Sequence, residues 1–167
     1  MARIPKLIVF DLDHTLWPFK IDECVFPFRR KSDGRVVDGS NTNELKLFPE
    51  VLETLQTLRD EKHCLAVASR IKDIAGAYQV LHFLQIYNLF TFVKIYPGYK
   101  IPHFRMLQRK SGIDFVDMLF FDDDRRNLRD VKRLGVTTFQ VIEGINKKTV
   151  ENGFTEFANK FSSTSDN

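Results

Sequence analysis

The stretch LIVFDLDHT, residues 7–15, decides the fold of this chain. Its first four residues form a short, β-branched-rich apolar run, which is typical of a strand buried inside a sheet. Two carboxylates and a hydroxyl, from Asp11, Asp13 and Thr15, follow this strand at its carboxyl end. Because ligands of open α/β sheets bind at that end of the strands, we expect a functional site there.

Apolar strand-like runs alternate with amphipathic helix-like runs along the chain, which indicates an α/β fold: a parallel sheet with helices on both faces. The predicted strands are Leu7–Phe10, Leu65–Ala68, Phe92–Ile95, Met118–Phe121 and Thr137–Ile142. The predicted helices are one that begins at Pro49, then Ile74–Leu84, Pro102–Lys110, Asn127–Leu134 and Thr149–Phe161. A length of 167 residues fits one domain, residues 1–167, with a polar, frayed tail at residues 162–167.

The segment after the first strand, about residues 18–47, breaks this alternation because it has no long helical period. It contains two turn-forming clusters, residues 32–35 and 38–41, and two short apolar arms, residues 26–28 and 35–37. We predict a short β-hairpin flap that hangs over the carboxyl end of the first strand. The alternative is a surface hairpin without a role in substrate binding.

Composition excludes several classes of protein. Hydrophobic residues make up 43% of the chain and the net charge is +3, which is typical of a globular domain rather than a disordered one. The nearest approach to a basic cluster is Arg29–Lys31, so we expect no nucleic-acid partner. No apolar stretch approaches the ~20 residues that a membrane-spanning helix needs. The two cysteines, without a CxxC motif, favour a reducing compartment, so we expect a cytoplasmic or nuclear protein. We also expect a monomer.

Asp11 and Asp13 have the chemistry for phosphoryl transfer. A carboxylate nucleophile such as Asp11 can form an acyl-phosphate and so divide one difficult step into two easier ones. Asp13, two residues later, can donate and accept the protons. A turn or a helix cap is the alternative explanation for two nearby aspartates, but it does not explain why both follow a buried strand.

Three later residues can face a phosphate group. Ser69 follows the second predicted strand and can donate its hydroxyl, while the neighbouring Arg70 can clamp the substrate. Lys100 lies at the start of a predicted helix, where backbone amides already favour anions. Taken singly, each has an alternative explanation, since serines often cap helices and lysines at turns are usually solvated.

A second strand end carries the acidic run Asp122–Asp124. Mg²⁺ takes oxygen ligands and usually one or two protein carboxylates, so Asp11 with an acid of this run would suffice. Asp122 and Asp123 are both candidates, and the sequence leaves open which one binds the ion directly. An acidic helix N-terminus is the alternative for Asp124. Asn127 and Asp130, on the following helix, can support the site from behind.

These residues in this order resemble the four motifs of the haloacid dehalogenase superfamily: Asp11-x-Asp13-x-Thr15, then Ser69, Lys100 and Asp122–Asp123. Longer stretches resemble the eukaryotic magnesium-dependent phosphatase one family, namely residues 9–19, 68–70, 95–100 and 120–127. The resemblance implies a Rossmann-like three-layer sandwich with a central, mainly parallel sheet. It also implies no large cap domain and a short hairpin beside the site.

The resemblance also implies roles for individual residues. Asp11 would be the nucleophile and a Mg²⁺ ligand, and Asp13 the general acid and base that binds the ion through its backbone carbonyl. Asp123 would bind Mg²⁺ through its side chain, with Asp122 beside it. The phosphate group would be bound by Ser69, Arg70, Lys100 and Thr15.

The activity implied is that of a magnesium-dependent phosphomonoesterase that works through an aspartyl-phosphate. Phosphotyrosine, in peptides or proteins, and sugar phosphates are the substrates that the family resemblance implies, including phosphorylated sugar–amine adducts. The chain departs from the family at His14, where a tyrosine is expected, and at Asp124, where a glutamate is expected. If the segment stays extended, His14 points away from Asp13 and serves in packing or in the outer shell of the site, not as a catalytic base.

Two other functions share parts of this pattern. A phosphoacceptor signalling module also combines strand-end aspartates, a hydroxyl, a lysine and Mg²⁺, but it lacks an acid/base residue at the position of Asp13. A catalytically silent binding protein of the same fold is disfavoured because no expected catalytic group is missing. Trp17, Phe19 and Phe28 could stack on a leaving group, although packing is the more ordinary role for such aromatic residues.

Overall fold

A five-stranded parallel sheet forms the centre of the computed structural model, which describes residues 2–160. Its strands, in spatial order, are β5, β4, β1, β6 and β7, and β1 is the middle strand. The strands are β1 Leu7–Phe10, β4 Leu65–Ser69, β5 Phe92–Ile95, β6 Met118–Asp122 and β7 Thr137–Gln140. A separate antiparallel hairpin is formed by β2 Arg29–Arg30 and β3 Val36–Val37.

Within residues 2–160, five α-helices cover the two faces of the sheet, which gives the three layers expected from the sequence. They are α1 Val51–Asp60, α2 Ile74–Phe83, α3 Lys100–Ser111, α4 Arg125–Lys132 and α5 Lys147–Asn159. Alternate residues of β1 point to opposite faces, so Ile8 and Phe10 join one core and Leu7 and Val9 the other. Helices α1, α2 and α5 pack on the first core, and α3 and α4 pack on the second.

The strand order places a crevice beside the end of β1. Chain connections lead from β1 to β4 on one side, whereas β6, on the other side of β1, continues to β7 at the far edge. Strand connections that diverge in this way open a crevice at the carboxyl ends of the strands. Phe10 of β1 pairs with Phe121 of β6, so Asp11 and Asp122 follow at neighbouring positions.

The predicted α/β fold is confirmed, with shifts at the ends of elements. Helix α3 begins at Lys100 rather than Pro102, because a proline is tolerated within the first turn of a helix. Helix α4 begins at Arg125 rather than Asn127, because the Asp124 carboxylate caps it by accepting from the amide of Arg126. The last predicted helix begins earlier, at Lys147, and the end predicted for it at Phe161 lies outside the described residues, as does the predicted tail.

The hairpin predicted after the first strand is present, and it packs on the body of the protein. Phe28 and Val36 are buried, and the amide of Phe28 donates to the side-chain oxygen of Gln79 on α2 at 3.0 Å. The part of the segment that approaches the end of β1 is instead a 3-10 turn, Ile21–Glu23. Within residues 2–160, no helix is long and apolar enough to cross a membrane.

Candidate active site

A buried ion-pair triad joins the ends of three elements. The Lys100 ammonium, at the start of α3, lies 2.7 Å from an oxygen of Asp11 and 2.7 Å from an oxygen of Asp122. Its side chain is fully buried, whereas Asp11 retains slight exposure to solvent. Burial disfavours the charged ammonium, but the two carboxylates outweigh burial and raise the pKa of Lys100. Lys100 is therefore a fixed positive charge at the point where β1 and β6 end.

Hydrogen bonds occupy both carboxylate oxygens of Asp122. Oδ1 accepts from the backbone amide of Asp124 at 2.8 Å, and Oδ2 accepts from Lys100 and from the Asn127 side-chain amide at 3.0 Å. The oxygen of the same Asn127 amide accepts from the Arg70 guanidinium at 3.1 Å. Asp122 thus orients Lys100 directly and Arg70 through Asn127. Asn127 supports the site as the sequence suggested.

Asp123 is less buried, and its side chain has fewer partners. The Thr15 hydroxyl lies 3.3 Å from Asp11 Oδ2 and 3.3 Å from Asp123 Oδ1, so it stands between the two carboxylates. A hydroxyl has one hydrogen to donate, so it can serve one of them at a time. Asp11, Asp122 and Asp123 can each present an oxygen within 4.8 Å of the others. Such a set of carboxylate oxygens fits Mg²⁺, which is a hard cation.

Two donors hold the Asp13 carboxyl in place through one oxygen. Oδ1 accepts from the indole N–H of Trp17 at 2.8 Å and from the amide of Ile21 at 3.2 Å. Burial raises the pKa of Asp13 to about 7, although the Trp17 hydrogen bond opposes it. A substantial fraction of the carboxyl is therefore protonated at neutral pH. With Oδ1 engaged, Oδ2 is the oxygen available to carry the proton.

The backbone turns sharply at His14, so the expectation of an extended segment was wrong. His14 has φ 58°, in the left-handed region, and its amide donates to the carbonyl oxygen of Trp17 at 2.7 Å. This turn keeps His14 at the cavity that Asp11 and Asp13 line, rather than directing it away. The sequence did not reveal the turn, because a non-glycine residue seldom adopts a positive φ.

A cavity of about 310 Å³ lies in front of these groups. Of the residues predicted from the sequence, six line it: Asp11, Asp13, Ser69, Arg70, Lys100 and Asp123. The other two do not line the cavity, since Thr15 and Asp122 are fully buried behind it. The predicted site residues thus lie together: six form the cavity wall, and Thr15 and Asp122 support it from behind.

Ser69, the last residue of β4, and Arg70, which follows it, lie at the side of the cavity. The Ser69 hydroxyl accepts from the amide of Ile71 at 3.2 Å in the turn after the strand, whereas the helix that follows is capped by Asp73, so Ser69 does not have the capping role considered as the alternative. The Arg70 guanidinium lies over the exposed Tyr99 ring, 5.4 Å from its centre. With Asn127 on one side and Tyr99 on the other, Arg70 is held as a cation at the rim of the cavity.

Comparison with known proteins identifies the family. Residues 3–160 match the sequence model of the family described as Acid Phosphatase. The chain belongs to this acid phosphatase family. It is 48% identical over 159 residues to human Magnesium-dependent phosphatase 1, covering 95% of this chain and 90% of that protein. It is 41% identical to a HAD-like hydrolase superfamily protein of Schizosaccharomyces pombe, covering 84% and 88%.

Solved structures support the fold of this acid phosphatase family member. The phosphatase domain of a Bacteroides fragilis protein complexed with Mg superposes with a TM-score of 0.66 at 18% identity, covering 94% of this chain and 40% of that one. A Had-superfamily hydrolase of Ehrlichia chaffeensis superposes with a TM-score of 0.66 at 11% identity, covering 94% and 99%. The resemblance to the haloacid dehalogenase superfamily is confirmed.

Sequence reasoning missed several residues that shape the site of this acid phosphatase family member. His103 is buried on α3, and its Nε2 lies 2.8 Å from the carbonyl oxygens of both Ser69 and Tyr96, so it ties the end of β4 to the turn before α3. Its spacing of three residues from Lys100 places both on one helix face, and this was the available signal. Lys20 and Asp22 also line the cavity, but no motif marks them.

The aromatic residues considered as partners for a leaving group mostly serve packing. Trp17 and Phe28 are buried, and the ring of the half-buried Phe19 stacks on Trp17 with 5.4 Å between centres. The Trp17 side chain contacts the site through its indole N–H, which donates to Asp13.

Replacing Asn127 by alanine should destabilise the protein, because Asp122 would lose a buried donor and Arg70 its acceptor. We expect the free energy of unfolding to fall by about 1–3 kcal/mol, measured by urea denaturation. Asp130, on the same helix, has no hydrogen bond to a described site residue and provides the control. Asp130→Ala should change stability by about 0.5 kcal/mol or less. Equal stability of the two variants would contradict the proposed support role.

Proposed function

We propose that this protein hydrolyses phosphomonoesters through an aspartyl-phosphate intermediate on Asp11. At the level of the family, the protein is a magnesium-dependent phosphatase of the haloacid dehalogenase type. The observation that supports the finer proposal most strongly is the pairing of Asp11 with the fully buried Lys100 at 2.7 Å, at the wall of an open cavity. This pairing fixes the direction of the Asp11 carboxylate and opposes burial, which raises the pKa of Asp11.

Asp11 attacks phosphorus in line with the leaving oxygen. Lys100 holds Oδ1, so Oδ2 is the oxygen that forms the new bond, and Lys100 also offsets charge on the phosphoryl oxygens. Arg70 and Ser69 bind the remaining phosphoryl oxygens from the side of β4. The reaction is thereby divided into transfer to Asp11 and hydrolysis of the acyl-phosphate.

Asp13 supplies and removes the proton. Its Oδ2 protonates the leaving oxygen in the first step and accepts a proton from the attacking water in the second. Because the Trp17 indole and the Ile21 amide both donate to Oδ1, Oδ2 is the oxygen left for proton transfer. The raised pKa of Asp13, about 7 through burial, is consistent with a group that must be protonated first and ionised later.

The Mg²⁺ ligands proposed are the Asp11 and Asp123 side chains and the backbone carbonyl of Asp13. Asp122 is assigned to orienting Lys100, because both of its oxygens already accept hydrogen bonds. When bound, Mg²⁺ neutralises charge on the phosphoryl oxygens and helps to orient the phosphate group. Thr15, between Asp11 and Asp123, orients these two carboxylates rather than contacting phosphate.

The proposed substrates are phosphotyrosine and sugar phosphates, including phosphorylated sugar–amine adducts. The open cavity supports this breadth, since the described chain has no large cap domain and its hairpin packs on α2. Protein-tyrosine phosphatase activity is part of the same proposal. We also propose, from the sequence, a monomer in the cytoplasm or nucleus without nucleic-acid or membrane partners.

Replacing Asp11 by asparagine should abolish turnover, because an amide cannot form the acyl-phosphate. With 4-nitrophenyl phosphate and Mg²⁺, we expect kcat to fall at least about 10³-fold. Asp60→Asn, at an exposed position of α1, is the matched control and should retain wild-type activity. Retained turnover in Asp11→Asn would contradict the assignment of the nucleophile. A single stoichiometric release of the phenol by the wild type, without turnover, would indicate a phosphoacceptor module.

Replacing Asp13 by asparagine should slow the release of poor leaving groups most, since these depend on a proton donor. We expect an alkyl phosphate to lose about 10²–10⁴-fold in kcat/KM and 4-nitrophenyl phosphate to lose much less. The asparagine side-chain oxygen can still accept from Trp17 and Ile21, so the local structure is retained. Equal losses for the two substrates would argue against a general-acid role for Asp13.

A further inference from the structure

Two ion pairs neutralise four of the charged side chains that line the catalytic cavity. Asp11 pairs with Lys100, and Asp124 pairs with Arg126 at 3.0 Å. Among residues 2–160, no carboxylate forms an ion pair with the side chain of Lys20 or with that of Arg70. Within that range, these two cations line the cavity without an ion-pair partner, and the carboxylates of Asp13, Asp22 and Asp123 line it as well.

Lys20 lies on the same side of the cavity as Asp13, the proposed proton donor to the leaving group. The amide of the next residue, Ile21, donates to Asp13 Oδ1 at 3.2 Å, so the peptide group that follows Lys20 contacts the proposed proton donor. Ile21 is fully buried, which anchors the turn below Lys20. Lys20 itself is exposed and lines the cavity. A cation at this place faces whatever group is attached to the ester oxygen.

Asp22 fixes the same turn from its other end and does not neutralise Lys20. Its carboxylate accepts from the backbone amide of Lys72 at 3.1 Å and from that of Asp73 at 2.9 Å, just before α2. These contacts direct the Asp22 carboxylate to the backbone near the start of the helix. The turn is therefore tied at Asp13 on one side and at α2 on the other, with the Lys20 ammonium left unpaired.

Arg70 and Lys20 differ in what they can bind. Arg70 follows Ser69 at the end of β4, and its guanidinium donates to Asn127, a neutral partner, so its charge remains available to the transferred phosphate. When the phosphate group binds Arg70, Lys20 is still without an ion pair among the described residues that line the cavity. A lysine is a point charge on a flexible stem and can reach a carboxylate placed beyond the ester oxygen.

We propose that Lys20 selects substrates whose leaving group carries an additional negative charge, such as a carboxylate. This inference rests on the proposed function, because it places the leaving group beside Asp13. It narrows the substrate class to phosphomonoesters whose alcohol, phenol or amino-acid adduct carries an additional acidic group. Lys20 is exposed to solvent, so its contribution should be a modest factor, about two- to fivefold in kcat/KM.

The test compares two substrates of equal size that differ by one charge, 4-carboxyphenyl phosphate and 4-carbamoylphenyl phosphate. The measured quantity is the ratio of their kcat/KM values with the full chain and Mg²⁺. We expect Lys20→Met to lower this ratio about two- to fivefold relative to wild type, and Lys20→Arg to retain it. Lys147→Met, which removes an exposed cation on α5, should leave the ratio unchanged.

The dependence of this kcat/KM ratio on NaCl concentration is a second test. Screening by NaCl should lower the wild-type ratio toward that of Lys20→Met and leave the Lys20→Met ratio nearly constant. An unchanged ratio in Lys20→Met, with both substrates still hydrolysed, would overturn the inference, and so would equal losses for both substrates. Failure of the proposed function would look different, since Asp11→Asn would then hydrolyse both substrates.

Discussion

The buried ammonium of Lys100 between two carboxylates is the interaction on which the rest of the site depends. Removing three charged groups from water is costly, and the cost is offset only when the pairing geometry is good. Here the two distances are both 2.7 Å, and they join the start of α3 to the ends of β1 and β6. The sheet register must therefore hold Asp11 and Asp122 side by side, and any slip would leave a buried charge unpaired.

The different roles of Asp11, Asp122 and Asp123 follow from this constraint. Asp122 is surrounded by donors and serves as structural support, which leaves Asp11 and the less buried Asp123 free to face the cavity. The same support reaches Arg70 through Asn127, so one buried carboxylate orients two of the cations proposed to bind phosphate. Catalysis in this arrangement depends on charges that are placed before the substrate arrives.

The central sheet and much of the site could be predicted from the sequence, because the carboxyl ends of parallel strands lie at the same edge of the sheet. The apolar runs located every strand of the central sheet, and the residues after them, Asp11, Ser69 and Asp123, meet at the cavity. The left-handed turn at His14 could not be predicted, since sequence pattern gives no signal for it. The place of Lys20 depends on hydrogen bonds to Asp22 from residues 50 and 51 positions away, which no local pattern records.

A crystal structure of the protein with Mg²⁺ and a phosphate mimic would test the central claim most directly. We expect the ion about 2.1 Å from carboxylate oxygens of both Asp11 and Asp123. We also expect Lys100 to bridge Asp11 and Asp122 still, while the mimic lies beside Arg70. An ion bound through the Asp122 side chain, with Lys100 displaced into solvent, would contradict it.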